Sequence, residues 1–249
     1  MLLRSITKHV KDQNWFAVFL DFFIVVAGIL IAFQITEWNE AQSDARRFDQ
    51  QLISFQEELE TNLEILGRYN ERTERQINEI NELRSMLRGD LLTINPERFN
   101  SIMFYTMAVP NYRSINAAFN DLAESSGLRE ISGTPLRQAI LNYEIHTSRL
   151  QRSDRDALNF RDQIFQPFVN SELSYSAMAT GGETEFGQLM KSYGFAPSPF
   201  ISDISKAARS QELDNHLAWT FAIEVEKRET TIKLQEAIEE LNAHLNEAR

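Results

Sequence analysis

The four histidines, His9, His146, His216 and His244, come nearest to metal chemistry in their spacing. Glu212 precedes His216 by four positions and Glu240 precedes His244 by four, so each pair can share a helix face and hold zinc weakly. Such pairs are equally common as plain surface contacts. A helical di-iron site needs Glu three positions before His, with inward carboxylates, and that tetrapeptide does not occur. The chain has no cysteine, which removes disulfides, thiolate metal sites and cysteine nucleophiles together. Gly-x-Ser-x-Gly, His-Glu-x-x-His, the phosphate-binding Gly-Lys-Ser/Thr and the Rossmann fingerprint are also missing. Gly181-Gly182 lacks the strand and helix of a phosphate loop. The adjacent acids Glu57-Glu58 and Glu239-Glu240 point about 100° apart on a helix and read as solvated faces. The sequence assigns no catalytic residue, cofactor or metal ligand.

Asp21 is the remaining group with unusual chemistry, because it sits in the apolar run 15–35, WFAVFLDFFIVVAGILIAFQI. At about 1.5 Å per residue this run rises about 30 Å, the thickness of a hydrocarbon core. Trp15 and Trp38, about 34 Å apart on a helix, can anchor the two water interfaces. A carboxylate in hydrocarbon costs about 2.5–3.5 kcal/mol on insertion scales, so Asp21 is expected to face protein or water. Ala17, Gly28 and Ala32 share its helical face, and Gly28 with Ala32 forms a small-xxx-small pair suited to close helix association. Asp21 either lines an ion path in an oligomer, or bonds a neighbouring helix or reaches toward headgroups.

Arg4, Lys8 and Lys11 precede the span, whereas Glu37, Glu40 and Asp44 follow it. By the positive-inside rule residues 1–14 are cytoplasmic and residues 36–249 lie across a bacterial inner membrane, in the periplasm. Residues 2–11 read as a short amphipathic helix on the inner leaflet. The apolar run exceeds the 7–15 residues of a signal-peptide core, no Ala-x-Ala site follows it, and an uncleaved anchor is expected.

The chain has 249 residues and a net charge of −11. Residues 1–36 hold three basic and two acidic side chains, so the excess of acid lies in the main domain. That surface argues against nucleic acid or anionic lipid as a partner for the domain. Residues 36–87 keep a helical pattern through Phe48, Leu52, Phe55, Leu59, Leu63, Leu66, Ile77, Ile80, Leu83 and Leu87. Asn70 and Thr73 break that stripe, which predicts a bend, a change of partner or a polar layer. Asn95-Pro96 opens a helix that Pro110 closes, and a helix over 114–125 ends at Gly127 as a left-handed cap. Thr134-Pro135 starts a long helix reaching about Gln166, before Pro167. Residues 176–202 hold four of the nine glycines and the aromatics Phe186, Tyr193, Phe195 and Phe200. They form either a partner loop or a lid with those rings as core plugs. A final helix over 210–248 carries Leu213, Leu217, Phe221, Val225, Ile232, Ile238, Leu241 and Leu245.

Residues 28–40, GILIAFQITEWNE, resemble a bacterial single-span membrane-protein family of unknown function, whose span ends in a Gln-Ile-x-x-Trp-Asn-Glu-like motif. Residues 119–143 are similar to its helix, Ser-Gly turn and second helix ending in Tyr. Glu37 departs from the pattern, where Asn is commoner. The resemblance implies the topology and brings no activity, substrate or catalytic residue.

The expected fold is all-α: a single N-terminal transmembrane helix continuing into an elongated antiparallel helical bundle, with helices 96–108 and 114–125 capping its outer end. The expected partners are the membrane lipid bilayer, further copies of the chain and other membrane-protein subunits. The leading function is a non-enzymatic structural or accessory subunit of a membrane complex. A periplasmic ligand-binding sensor relying on a partner for output, and an oligomeric ion channel using Asp21, are the alternatives.

Overall fold

A computed structural model describes residues 15–125, 127–180, 185–196, 200 and 202–247. The expected inner-leaflet helix 2–11 lies outside them. The described residues form helices joined by turns and extended chain, with no strand among them. The chain divides into two compact units, Met1–Ile53 and Ser54–Arg249, each described by itself. Helix α1, Trp15–Arg88, runs through the boundary.

In the first unit, α1 is the whole of the described structure. Residues 18–35 leave their large apolar side chains bare, with Phe22 66 % exposed and Ile29 63 % exposed. Among the described residues this is the one helix long and apolar enough to cross a membrane. Residues 36–47 are exposed on every face.

In the second unit, the last part of α1 packs with α5, Pro135–Phe160, and with α10, Gln211–Glu247. Between α1 and α5 come a 3-10 turn Leu91–Thr93 and the helices α2 Pro96–Met107, α3 Ala117–Glu124 and α4 Gly127–Glu130. After α5 come a π turn Arg161–Phe165 and the helices α6 Gln166–Glu172, α7 Tyr175–Thr180, α8 Glu185–Ser192 and α9 Ile204–Ala208. Polar bridges fix the directions. Gln56 meets Asn246, Glu74 meets Arg228 and Arg84 meets Asp214, so α10 is antiparallel to α1. Asn62 meets Tyr143 and Tyr69 meets Asp154, so α5 is parallel to α1.

The buried faces follow alternating steps of three and four, the spacing of a coiled-coil seam. On α1 they are Phe55, Leu59, Asn62, Leu66, Tyr69, Thr73, Gln76, Ile80 and Leu83. On α10 they are Leu213, Leu217, Thr220, Glu224, Lys227, Thr231, Leu234, Ile238, Leu241 and Leu245. Of the three outcomes offered for the break at Asn70 and Thr73, a polar layer is present, built on Thr73, with Tyr69 in the seam where Asn70 was expected. On α10 the face differs from the expected one: Val225 and Ile232 are each 37 % exposed, and Thr220, Glu224, Lys227 and Thr231 take the seam. An apolar cluster fills the end of the unit near Leu83, built from Ile80, Phe99, Ile102, Met103, Phe165, Val169, Met178, Leu213 and Leu217.

Local signals act as their chemistry requires. Asn95 caps α2, its Oδ1 accepting from the N–H groups of Glu97 and Arg98, with Pro96 in the first turn. Thr134 caps α5 ahead of Pro135 in the same way. Three expectations are corrected. Gly127 does not end a helix with a left-handed residue; it opens the one-turn α4, and the positive φ falls on Gly133, at 80°. Pro167 does not stop the chain's helical course, because the π turn 161–165 shifts the hydrogen-bond register and Pro167 lies in the first turn of α6, where its missing N–H is not needed. Helices α2 and α3 do not cap one end together: α2 packs near Leu83, whereas α3 sits at Glu58, whose carboxylate accepts from the N–H groups of Ala118 and Phe119.

Candidate functional site

The chain between α2 and α3, residues 108–116, has no regular structure and runs back along the bundle from Gln76 to Glu58. That stretch of α1 rises about 27 Å, and nine extended residues reach about 30 Å, so the segment must be nearly straight. Straight chain cannot satisfy its own N–H and C=O groups, and leaving them unpaired in the interior costs about 1–3 kcal/mol each. The polar seam residues supply the missing partners. Gln76 Nε2 donates to the carbonyls of Thr106 at 3.2 Å and Ala108 at 2.7 Å. Lys227 Nζ donates to the Pro110 carbonyl at 3.3 Å, and the Tyr112 N–H donates to Asp154 Oδ2 at 2.7 Å. The Ile115 N–H donates to Asn62 Oδ1, and Asn62 Nδ2 donates back to the Ile115 carbonyl, both at 2.8 Å.

At the middle of this ladder lie Asp154, Lys227 and Glu224, exposed by 1, 0 and 1 %. Lys227 Nζ is 3.3 Å from Asp154 Oδ1 and donates to Glu224 Oε1 at 3.0 Å. With the Pro110 carbonyl, these acceptors use all three donors of an ammonium group. Tyr69 donates its hydroxyl to Asp154 Oδ1 at 2.7 Å, and its ring lies under Lys227 Nζ at 5.4 Å from the centroid. Burial, and the negative Asp154 beside it, push the Tyr69 hydroxyl far above its ordinary titration range. Tyr112 packs edge-on against Tyr69, and burial raises its hydroxyl as well. Tyr143, beside Asn62, is pushed up to about 12 by burial. The three phenols are therefore neutral: Tyr69 donates to Asp154, Tyr143 accepts from the Asn62 amide, and among the described residues the Tyr112 hydroxyl meets no partner.

Among the described residues, Glu224 is the charged member of the cluster with an unpartnered oxygen. That oxygen is Oε2. Burial raises its carboxyl pKa; Lys227 opposes the rise and Asp154 adds to it. A cleft of about 400 Å³ lined by Tyr112, Arg113, Gln151 and Arg155 opens beside Asp154. Both Asp154 oxygens are nevertheless engaged from within the bundle, so the cluster's chemistry is that of clamping backbone.

The residues singled out in the sequence are placed apart from this cluster. Asp21, Gly28 and Ala32 lie exposed on α1 in the first unit, and a Cβ added at Gly28 meets nothing within 4 Å. Trp38 is 64 % exposed. The side chains of Trp15 and Ala17 lie outside the described residues. In the 176–202 stretch, where α7 and α8 form, Phe186 stacks on Phe104 with centroids 5.4 Å apart yet stays 45 % exposed, so it makes a surface contact and is not a core plug. Tyr193 and Phe200 stay 86 and 75 % exposed and Phe195 46 %. Residues 181–184, 197–199 and 201 of that stretch lie outside the described residues.

Of the two Glu–His pairs, His216 Nε2 lies 3.5 Å from Glu212 Oε1, boxed by Phe160, Phe165 and Phe168. His244 turns to Glu247 rather than Glu240. Among the described residues, no three His, Asp or Glu side chains gather as a metal site would require. Glu58 is buried at an α-helical N-terminus, against its reading as a solvated acid, while Glu57, Glu239 and Glu240 are exposed.

Sequence reasoning missed Asn62, Asp154, Glu224 and Lys227. Their only signal was polar identity at seam spacing. No family model, curated protein or solved structure matches the chain.

Proposed function

We propose that the protein is a membrane-anchored structural or accessory subunit, held in a bacterial inner membrane by residues 15–35, with residues 1–14 cytoplasmic and the bundle in the periplasm. The bare apolar stretch of α1 carries this reading: from residue 18 to residue 35 its large apolar side chains are left uncovered, a state that hydrocarbon stabilises and water does not. The flanking charges supply the orientation. The bundle spends its buried polar groups on its own backbone, which suits a rigid spacer or docking domain. In the membrane, the face of Asp21, Gly28 and Ala32 offers close contact to a second copy or another subunit's helix.

Alkaline carbonate washing of membranes tests the anchor; release of the chain into the wash contradicts it. Native mass analysis of gently solubilised wild type and Gly28→Leu tests the face. A Cβ added there meets nothing within 4 Å among the described residues, so loss of an associated species in the variant reports helix packing, and an unchanged assembly refutes this face.

A further inference from the structure

The buried positions of α1 in the second unit step by three and four from Phe55 to Leu83. Counting the same steps toward the N-terminus gives Leu52, Phe48, Ala45, Ala41 and Trp38. The seam spacing thus continues through residues 38–48, where α1 is the only described element of the first unit. Trp38, Ala41 and Ala45 are exposed there and Phe48 is half-buried. Two alanines between two large aromatics make a face with a shallow centre and bulky ends, into which the knobs of another helix fit.

The edges of this face carry a definite charge. The positions flanking the seam on one side are Glu37 and Asp44, and on the other Gln42 and Asp49. They hold three acids, one amide and no base. Arg46 and Arg47 lie on the outer surface. Arg46 bonds the Gln42 carbonyl, and Arg47 approaches Asp44 only to 4.0 Å, with both side chains more than half exposed. In a parallel pair of identical helices, Asp44 of each copy would face Asp49 of the other, a like-charge contact made twice. Lysines or arginines on a partner's edges would instead pair with all three acids.

We infer that the face formed by Trp38, Ala41, Ala45 and Phe48 receives an α-helix of a different protein, apolar at alternating steps of three and four and basic along its edges. This names the partner chemistry for the subunit proposed above, and rests on that reading for the partner being a membrane neighbour.

The test uses the full chain in lipid nanodiscs and two synthetic three-heptad peptides with leucine at the core positions, one with lysine and one with glutamate at the edges. The lysine peptide is expected to bind about tenfold more tightly than the glutamate peptide, and to weaken as salt rises. Phe48→Ser and Ala45→Lys are each expected to weaken it by about tenfold, while Ser43→Lys, which adds the same charge on the opposite face, leaves it nearly unchanged. Equal binding of the two peptides, or binding that survives both seam variants, overturns the inference. Ala45→Cys supplies the sole thiol of the chain; a disulfide-linked pair of chains on oxidation of native membranes also overturns it, in favour of a second copy. Peptide binding by a chain that carbonate releases would refute the anchor and leave the seam standing.

Discussion

Asn62 pairs with both backbone groups of Ile115, accepting from its N–H and donating to its C=O at 2.8 Å each. A side-chain amide thus does for one residue of extended chain what a neighbouring strand does in a sheet. Asn62→Ala is expected to lower unfolding stability by about 2 kcal/mol, since it strands both groups in a partly buried position. Urea denaturation followed by circular dichroism measures it, and a change within about 0.5 kcal/mol would show that water serves Ile115 equally well.

Asp154 and Lys227 are expected to behave as one unit. Removing either leaves the other buried with an incomplete set of partners, which costs about 3–5 kcal/mol. Asp154→Leu also strands the Tyr69 hydroxyl and the Tyr112 N–H. The double variant Asp154→Leu with Lys227→Met should be less damaging than the sum of the single changes, and strict additivity in the cycle would show the pair to be uncoupled.

The pH dependence follows from Glu224. Its carboxyl pKa is raised above the ordinary value of 4.5, first by burial, so the folded state holds this proton more firmly than the unfolded chain does. The resulting stability is fully present below about pH 4.5 and declines as pH climbs through the raised folded value. Glu224→Gln keeps an acceptor for Lys227 and removes the titration. Thermal melts from pH 5 to 8 should therefore fall less steeply for the variant than for wild type; parallel profiles would assign the slope to another group.

The aromatics of 176–202 divide into two kinds. Phe186, stacked on Phe104, is expected to cost about 1 kcal/mol on replacement by alanine. Tyr193, at 86 % exposure, should change stability by no more than about 0.5 kcal/mol. A thermal-shift comparison of Phe186→Ala with Tyr193→Ala reads both, and equal losses would show that Tyr193 packs against a neighbour as Phe186 does.

The all-helical class, the long first and last helices and the caps at Asn95 and Thr134 were legible because each rests on local chemistry. The break at Thr73 was legible as an interruption of the stripe, but not which of a bend, a change of partner or a polar layer it would be. The α10 face was not. Val225 and Ile232 look like its apolar stripe, yet the seam passes through Glu224, Lys227 and Thr231, because Lys227 answers to Asp154 and to the backbone of Pro110, 117 residues away, while Glu224 and Thr231 bond Lys227 itself. Glu58 misled for a related reason: an acid beside another acid reads as solvated until a helix N-terminus arrives from 60 residues further along.

The straight segment 108–116 also constrains the order of assembly. It lies among α1, α5 and α10 with its carbonyls and amides held by side chains from all three. Ala108, Asn111, Arg113 and Ile115 of the segment are exposed, so it lies in a groove on the bundle's surface. During synthesis α10 is the last of the three helices to emerge, and until it does the Pro110 carbonyl lacks its lysine. The ladder is therefore complete only once the C-terminal helix has docked.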